Sequence, residues 1–285
     1  MILPPMAWGM WRIRGSDVRR AQELVETALE AGLALFDTAD VYGPDNGEAF
    51  GAAETLLGRV LAGAPPLRDA FVLATKGGIE IGSPYNSSAS HLVQACEASL
   101  KRLNIECVDL YQIHRPDTLT HPAETAQALD ALRQAGKIRE AGVSNHSPSQ
   151  VSALQAHLPF PLASVQPELS ALATAALHDG VLDQAMELDL TVLAWSPLAG
   201  GRLLLRDGEQ AIAVANALAT VAEQSGVSLG VAAFAWVMAH PARPIPIVGS
   251  QSVSRIREAA DALKVSFTRA QWYGVLQASM GEKLP

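Results

Sequence analysis

Short apolar runs alternate with longer stretches of helical period along the chain. Continuously apolar runs of this length suit parallel strands buried on both faces. They begin near Pro5 (MAWGM), Leu33 (LALFD), Phe71 (FVLATK), Asp109 (DLYQIH), Glu140 (EAGVS), Ala163 (ASVQPE), Thr191 (TVLAWS) and Ile245 (IPIVGS). The first predicted helix opens at Ser16-Asp17, repeats apolar positions through Val18, Ala21, Leu24, Val25, Ala28 and Leu29, and stops at Gly32. A polar cap at the start and a glycine at the end are the expected helix boundaries. Further helices are predicted over 47–61, 88–103, 121–135, 148–157, 179–189, 213–240 (broken at Gly226) and 252–264. Eight such alternations without a reversal signal predict one (β/α)8 TIM barrel, a single domain over residues 1–285. An open doubly wound sheet binding a dinucleotide would carry GxGxxG after its first strand. Here Gly77-Gly78 and Gly200-Gly201 are isolated pairs, and no GxxxxGK[ST] phosphate loop occurs.

Composition narrows the class of protein. A hydrophobic fraction of 49% against 18% charged residues supports a large core and not a disordered chain. The net charge of −8 argues against nucleic-acid or anionic-membrane partners, while leaving room for a local phosphate site. Cys96 and Cys107 form no CxxC pair and are read as reduced core thiols. The start, Met1-Ile2-Leu3-Pro4-Pro5, lacks the basic and apolar regions of a leader. The most apolar helical segment, Leu229 to Ala239, is about half the length that spans a bilayer. A cytoplasmic protein follows as the expectation.

A barrel of this kind places its chemistry at the C-terminal ends of its strands. The runs end at Asp37, Lys76, His114, Ser144-Asn145, Gln166, Ser196 and Ser250. Any one of these is an ordinary loop entry; together they would converge on one cleft. Tyr42 follows Asp37 by five residues in FDTADVYG. A free phenol, with a pKa near 10, is a poor proton donor at neutrality unless a cation stabilises its anion. Lys76 would lower that pKa, Asp37 would hold the ammonium in place, and His114 would orient a carbonyl oxygen. This set suits delivery of a proton to a carbonyl as a hydride reaches its carbon. Lys76 as a Schiff-base nucleophile is a second reading, opposed by Asp37, which keeps the amine charged.

The chain resembles the aldo-keto reductase family from Trp8 to about Leu263. The motifs that carry the resemblance are FDTADVYG (36–43), LATKGG (73–78), DLYQIHRPD (109–117), GKIREAGVSN (136–145), SVQPELS (164–170), AWSPLAGGRL (194–203) and IPIVGSQSVSRIREA (245–259). The resemblance implies NADP(H)-dependent reduction of a small-molecule aldehyde or ketone without a metal, with Tyr42 as general acid and Asp37, Lys76 and His114 assisting. It puts Gly9, Met10 and Trp11 near the nicotinamide and Asp37 at the ribose. Ser144, Asn145 and Gln166 fall at the carboxamide. Trp195 stands where many members stack a tyrosine on the ring. The backbone of Ser196, Pro197, Leu198, Gly200 and Gly201 would meet the pyrophosphate, with Arg202 as its charge partner. Ser250, Gln251 and Arg255 would meet the adenosine ribose and its 2′-phosphate, and Glu258 the adenine. Gly249 replaces a lysine of some members and Ala259 an asparagine. NADPH is nevertheless expected over NADH because of Arg255.

A non-catalytic NADP(H)-binding protein of the same fold is the alternative. His91, His121, His146, His157, His178 and His240 show no metal-binding spacing. Arg257 is read as part of a solvated helix face. Tyr85 and Asn86 either border substrate or form a turn, and 198–212 is a candidate lid. A monomer is expected. The end at Lys283-Leu284-Pro285 leaves little chain for a long substrate loop.

Overall fold

A computed structural model describes residues 3–284. Met1, Ile2 and Pro285, part of the termini read above for a leader and a short tail, lie outside the described residues. Eight parallel strands close into a barrel: β1 (Ala7–Gly9), β2 (Leu35–Asp37), β3 (Val72–Gly77), β4 (Val108–Ile113), β5 (Ile138–Ser144), β6 (Ser164–Gln166), β7 (Thr191–Ala194) and β8 (Ile245–Val248). Each pairs with its sequence neighbour, and β1 closes the ring on β8 through Ala7–Ile247 and Trp8–Val248. The eight expected strands are therefore all present, as a TIM barrel.

Alternation of side chains along each strand sorts the residues between two cores. Ala7, Leu35, Ala74, Leu110, Leu193, Ile245 and Ile247 fill the barrel interior. Trp8, Phe36, Leu73, Tyr111, Val143, Val165, Val192 and Val248 belong to the larger core shared with the helices. There Trp8 meets Phe36 edge-on at 5.2 Å, and Phe36 stacks on Phe71 at 4.1 Å. One pleat beyond the interior layer, the inward positions become Asp37, Lys76, Gln112, Trp195 and Gly249. The interior thus changes from apolar filling to polar chemistry within two residues, at one end of the barrel.

The intervening helices are α1 (Val18–Glu30), α2 (Ala52–Gly63), α3 (Ala89–Leu103), α4 (Pro122–Gln134), α5 (Pro148–Gln155) and α6 (Val181–Glu187). Asp17 caps α1 by accepting from the Arg20 amide at 3.0 Å. Between β7 and β8 lie α7 (Arg202–Leu205), α8 (Glu209–Ser225) and α9 (Leu229–Met238), followed by α10 (Val253–Ala259) and α11 (Arg269–Met280). Three features differ from the sequence reading. Residues in the expected loop 77–88 pair as a hairpin, Ile79–Glu80 with Ser83–Tyr85. Helix α8 starts four residues before the expected 213. Helix α11 was not expected at all. It opens with a capping box between Thr268 and Gln271. Trp272 then stacks on Trp236 of α9 at 5.0 Å, and each indole N–H donates to the other's carbonyl at 3.1 Å.

No single helix among the described residues is long and apolar enough to cross a membrane. Helices α8 and α9 reach the required composition only together, and they meet at a 97° bend.

Candidate active site

Asp37, at the end of β2, and Lys76, near the end of β3, point inward because each lies two residues past an interior core residue, Leu35 and Ala74. Lys76 Nζ donates to Asp37 Oδ2 at 2.7 Å, to the Thr38 carbonyl at 2.9 Å and to the Tyr42 hydroxyl at 3.0 Å. All three ammonium donors are thereby used, and the lysine is fully buried. The other carboxylate oxygen of Asp37 accepts from Gln166 Nε2 at 2.9 Å. Tyr42 comes from the turn after β2, and Gly43 sets that turn. A Cβ at Gly43 would lie 1.9 Å from the Ala49 carbonyl oxygen, so a side chain there is excluded by backbone. His114 follows β4 and meets the Tyr42 ring edge-on at 5.9 Å. The four residues expected to act together are thus adjacent.

Their electrostatics correct one expectation. Burial pushes the Tyr42 phenol up, and Lys76 only partly reverses this, so its pKa stands above the ordinary value, not below it. Burial would lower the Lys76 ammonium, but Asp37 and the tyrosine oxygen more than offset it, leaving its pKa raised. Lys76 is therefore a fixed cation, the wrong state for Schiff-base attack. Burial, reinforced by Lys76 and Arg115, holds His114 well below its usual pKa. The imidazole is neutral at pH 7, and its Nδ1 has no partner among the described residues.

Behind this set lies a second buried polar group. Glu54 of α2 accepts from Thr75, the residue before Lys76, at 2.5 Å and from Arg102 at 2.7 Å. Asp40 is 1% exposed, and burial aided by Glu54 pushes its carboxyl up to about 8.

A cavity of about 750 Å3 runs from Tyr42 and His114 across the strand ends to α10. Of the expected cofactor residues, Gly9, Trp11, Asp37, Ser144, Asn145, Gln166, Trp195, Ser196, Pro197, Leu198, Gly200, Gly201, Gly249, Ser250, Arg255 and Glu258 line it. Met10, Arg202 and Gln251 do not. Met10 is buried in the core between strands and helices, one residue out of phase with Gly9. Arg202 is exposed at the start of α7, after two left-handed glycines (φ 69° at Gly200, 105° at Gly201) turn the chain. Gln251 turns its amide to the Gly9 carbonyl at 3.3 Å. Arg257 pairs with Glu30 at the surface. The sequence reading did not identify Arg12, Arg115, Ser228–Val231, Phe234 or Ile247 as lining residues. Arg12 donates to the Gly200 carbonyl at 2.9 Å. Ser228 carried a signal, a serine cap before an apolar helix; Arg12 and Arg115 carried none.

The donor set suits an elongated ligand with a flat ring at one end and phosphates further along. The Trp195 ring is held by its indole N–H on Asn145 Oδ1 at 2.9 Å. Asn145 Nδ2 is taken by Ser144 Oγ at 2.8 Å, and Gln166 Oε1 has no partner among the described residues. Left-handed backbone at Ser196, Ala199, Gly200 and Gly201 curls the next stretch into a concave turn, a form that receives anions. Arg255 supplies a cation at the far end. Among the described residues no group of three or more His, Cys, Asp or Glu side chains is placed to hold a metal ion.

A barrel whose strand ends carry an Asp–Lys–Tyr–His cluster above an elongated cavity defines a class of oxidoreductase, and sequence comparison identifies it. The aldo/keto reductase family profile matches residues 5–278, and the chain belongs to that family. The 6-dehydroglucose reductase of Novosphingobium aromaticivorans is 51% identical over 283 residues, covering 99% of this chain and 93% of that one. The glycerol dehydrogenase structure from Gluconobacter oxydans superposes with a TM-score of 0.86 at 29% identity, covering 99% of this chain and 94% of that one. An aldo-keto reductase from Klebsiella pneumoniae, solved with NADPH, gives a TM-score of 0.78 at 27% identity, covering 96% and 90%.

Proposed function

We propose that the protein is an NADPH-dependent carbonyl reductase, a cytoplasmic monomer formed by one barrel domain over residues 1–285. The observation that carries this reading is the ammonium of Lys76, held between Asp37 at 2.7 Å and the Tyr42 hydroxyl at 3.0 Å, at one end of a dinucleotide-sized cavity. When bound, the reduced nicotinamide supplies a hydride to the carbonyl carbon. Tyr42 gives its hydroxyl proton to the carbonyl oxygen, and an alcohol results. The Lys76 ammonium stabilises the phenolate left behind, which solvent then reprotonates. Asp37 keeps Lys76 charged and aimed. Neutral His114 donates to the same oxygen from the ring nitrogen that faces the cavity. This lowers the barrier most where charge develops in a site shielded from water.

Further along the cavity, Trp195 offers a flat face for the nicotinamide and Gln166 an acceptor for its carboxamide. The curled backbone from Ser196 to Gly201 receives the pyrophosphate, and Arg255 meets the 2′-phosphate. The name of the 51% identical relative makes 6-dehydroglucose the first substrate to test. With saturating NADPH, the wild-type protein is expected to oxidise the cofactor when given 6-dehydroglucose or an activated aldehyde. Bound NADPH with no oxidation by any carbonyl of such a panel contradicts the proposal and favours a non-catalytic binding protein.

A further inference from the structure

The cavity wall beside Tyr42 holds a carboxylate that the proposed chemistry does not use. Asp45 lies in the short turn Pro44–Asn46, three residues past the proposed acid, and faces the cavity with Val41 and Trp11. Its Oδ2 accepts from the Trp11 indole N–H at 3.1 Å. Asn46 Nδ2 donates to the Trp11 carbonyl at 2.5 Å, so the tryptophan is tied to this turn at two points. The indole takes one of roughly four acceptor positions on the carboxylate. Asp45 Oδ1 has no hydrogen-bond partner among the described residues, and no Lys or Arg pairs with Asp45 there.

Arg115 lines the same cavity directly after His114, its guanidinium 5.7 Å from the Trp195 ring centroid. The cavity mouth that Tyr42 and His114 share is thus also lined by an acceptor-only group, the exposed Asp45, a donor-only group, Arg115, and the Trp11 indole. Such a mouth matches a neutral chain bearing several hydroxyls, each able to donate and accept. An alkyl chain leaves both charged groups without ligand partners. An acidic substrate meets Asp45 with like charge.

We propose that Asp45 is the specificity-determining residue of this pocket. Its carboxylate accepts from hydroxyls next to the reacting carbonyl, so that polyhydroxylated aldehydes are preferred to plain aldehydes of the same length. The inference rests on the carbonyl reductase reading and assigns that reading's substrate selectivity to one side chain.

The test is steady-state kinetics with NADPH on a matched pair, glyceraldehyde and propanal, for wild type, Asp45→Ala, Asp45→Asn and Trp11→Phe. Wild type is expected to favour glyceraldehyde by about tenfold or more in kcat/KM, the worth of one hydrogen bond to a charged group. Asp45→Ala removes most of that ratio, chiefly through KM for glyceraldehyde. Asp45→Asn keeps an acceptor oxygen and retains part of it. Trp11→Phe deletes only the indole N–H and keeps the ratio within about twofold, whatever happens to the absolute rates. An unchanged ratio in Asp45→Ala overturns the inference, as does an equal loss on both aldehydes, which would make Asp45 a prop for Trp11. Turnover of both by wild type without discrimination overturns this inference alone. Turnover of neither, nor of any other carbonyl, removes the reductase reading and this inference with it.

Discussion

The two ends of the cavity are built on opposite physical terms. At the reaction end, Lys76 and Asp37 are fully or almost fully buried, and every donor of the ammonium has a named acceptor within 3.0 Å. At the α10 end, Arg255 and Glu258 sit on a helix face with access to solvent, and neither side chain makes a protein hydrogen bond among the described residues. A buried charge without its partner costs several kcal/mol, so the reaction end holds together only as a complete set. An exposed charge is screened and contributes only when a ligand desolvates it. The first end is rigid and intolerant of change; the second is adjustable, a suitable place for cofactor preference to vary.

Substitutions at each end separate these regimes. The largest effect is expected from Lys76→Met, which leaves the Asp37 carboxylate buried without its cation. Breaking such a pair costs about 3–5 kcal/mol of stability. Chemical denaturation should show that loss together with loss of turnover, and a variant as stable as wild type would refute the description of this end. Arg255→Met is expected to weaken NADPH binding by roughly tenfold and to leave NADH binding and thermal stability unchanged, because the charge acts only through a ligand. Equal weakening of both cofactors in a fluorescence titration would move Arg255 away from the 2′-phosphate.

A third effect, read against pH, concerns Asp40, buried behind the reaction end. Its folded pKa of about 8 exceeds the ordinary 3.8, so the folded state holds a proton that the unfolded state has released. Stability is then greatest below pH 3.8 on this account and falls as pH rises toward about 8. Asp40→Asn keeps a neutral side chain of similar shape and should flatten that fall. Melting at pH 8 would rise by about 2–4 °C for each kcal/mol recovered. A melting temperature that drops at pH 8 would show that the carboxylate is ionised and useful there.

The contrast between the ends also explains what could be read from sequence. Strand alternation is a local rule, so Asp37, Lys76 and Gln166 are legible as inward groups at strand ends, and Tyr42 is close enough to Asp37 to join them. Met10, put near the nicotinamide by the family resemblance, is one step of that alternation out of phase with Gly9, and its side chain packs in the core. Residues after the strands obey no such period. Arg202 is adjacent in sequence to the curled backbone but is turned out by the left-handed pair Gly200-Gly201. Arg12 reaches the cavity only because a loop after β1 folds across to the Gly200 carbonyl. The sign of the Tyr42 shift was missed for a related reason: the Lys76 charge is visible in sequence, whereas burial depends on packing of the whole barrel. Helix α11 was overlooked although Thr268 and Gln271 stand at capping-box spacing. The pairing of Trp272 with Trp236, which anchors it, is a tertiary contact.

The central claim is that Tyr42 delivers the proton while the rest of the site binds NADPH without it. Tyr42→Phe, measured for turnover and for NADPH affinity on the same preparation, tests this most directly. Turnover is predicted to fall by about 10²–10⁴, the usual contribution of a general acid, with the NADPH dissociation constant within about twofold of wild type. Turnover within tenfold of wild type, with NADPH still bound, would contradict it.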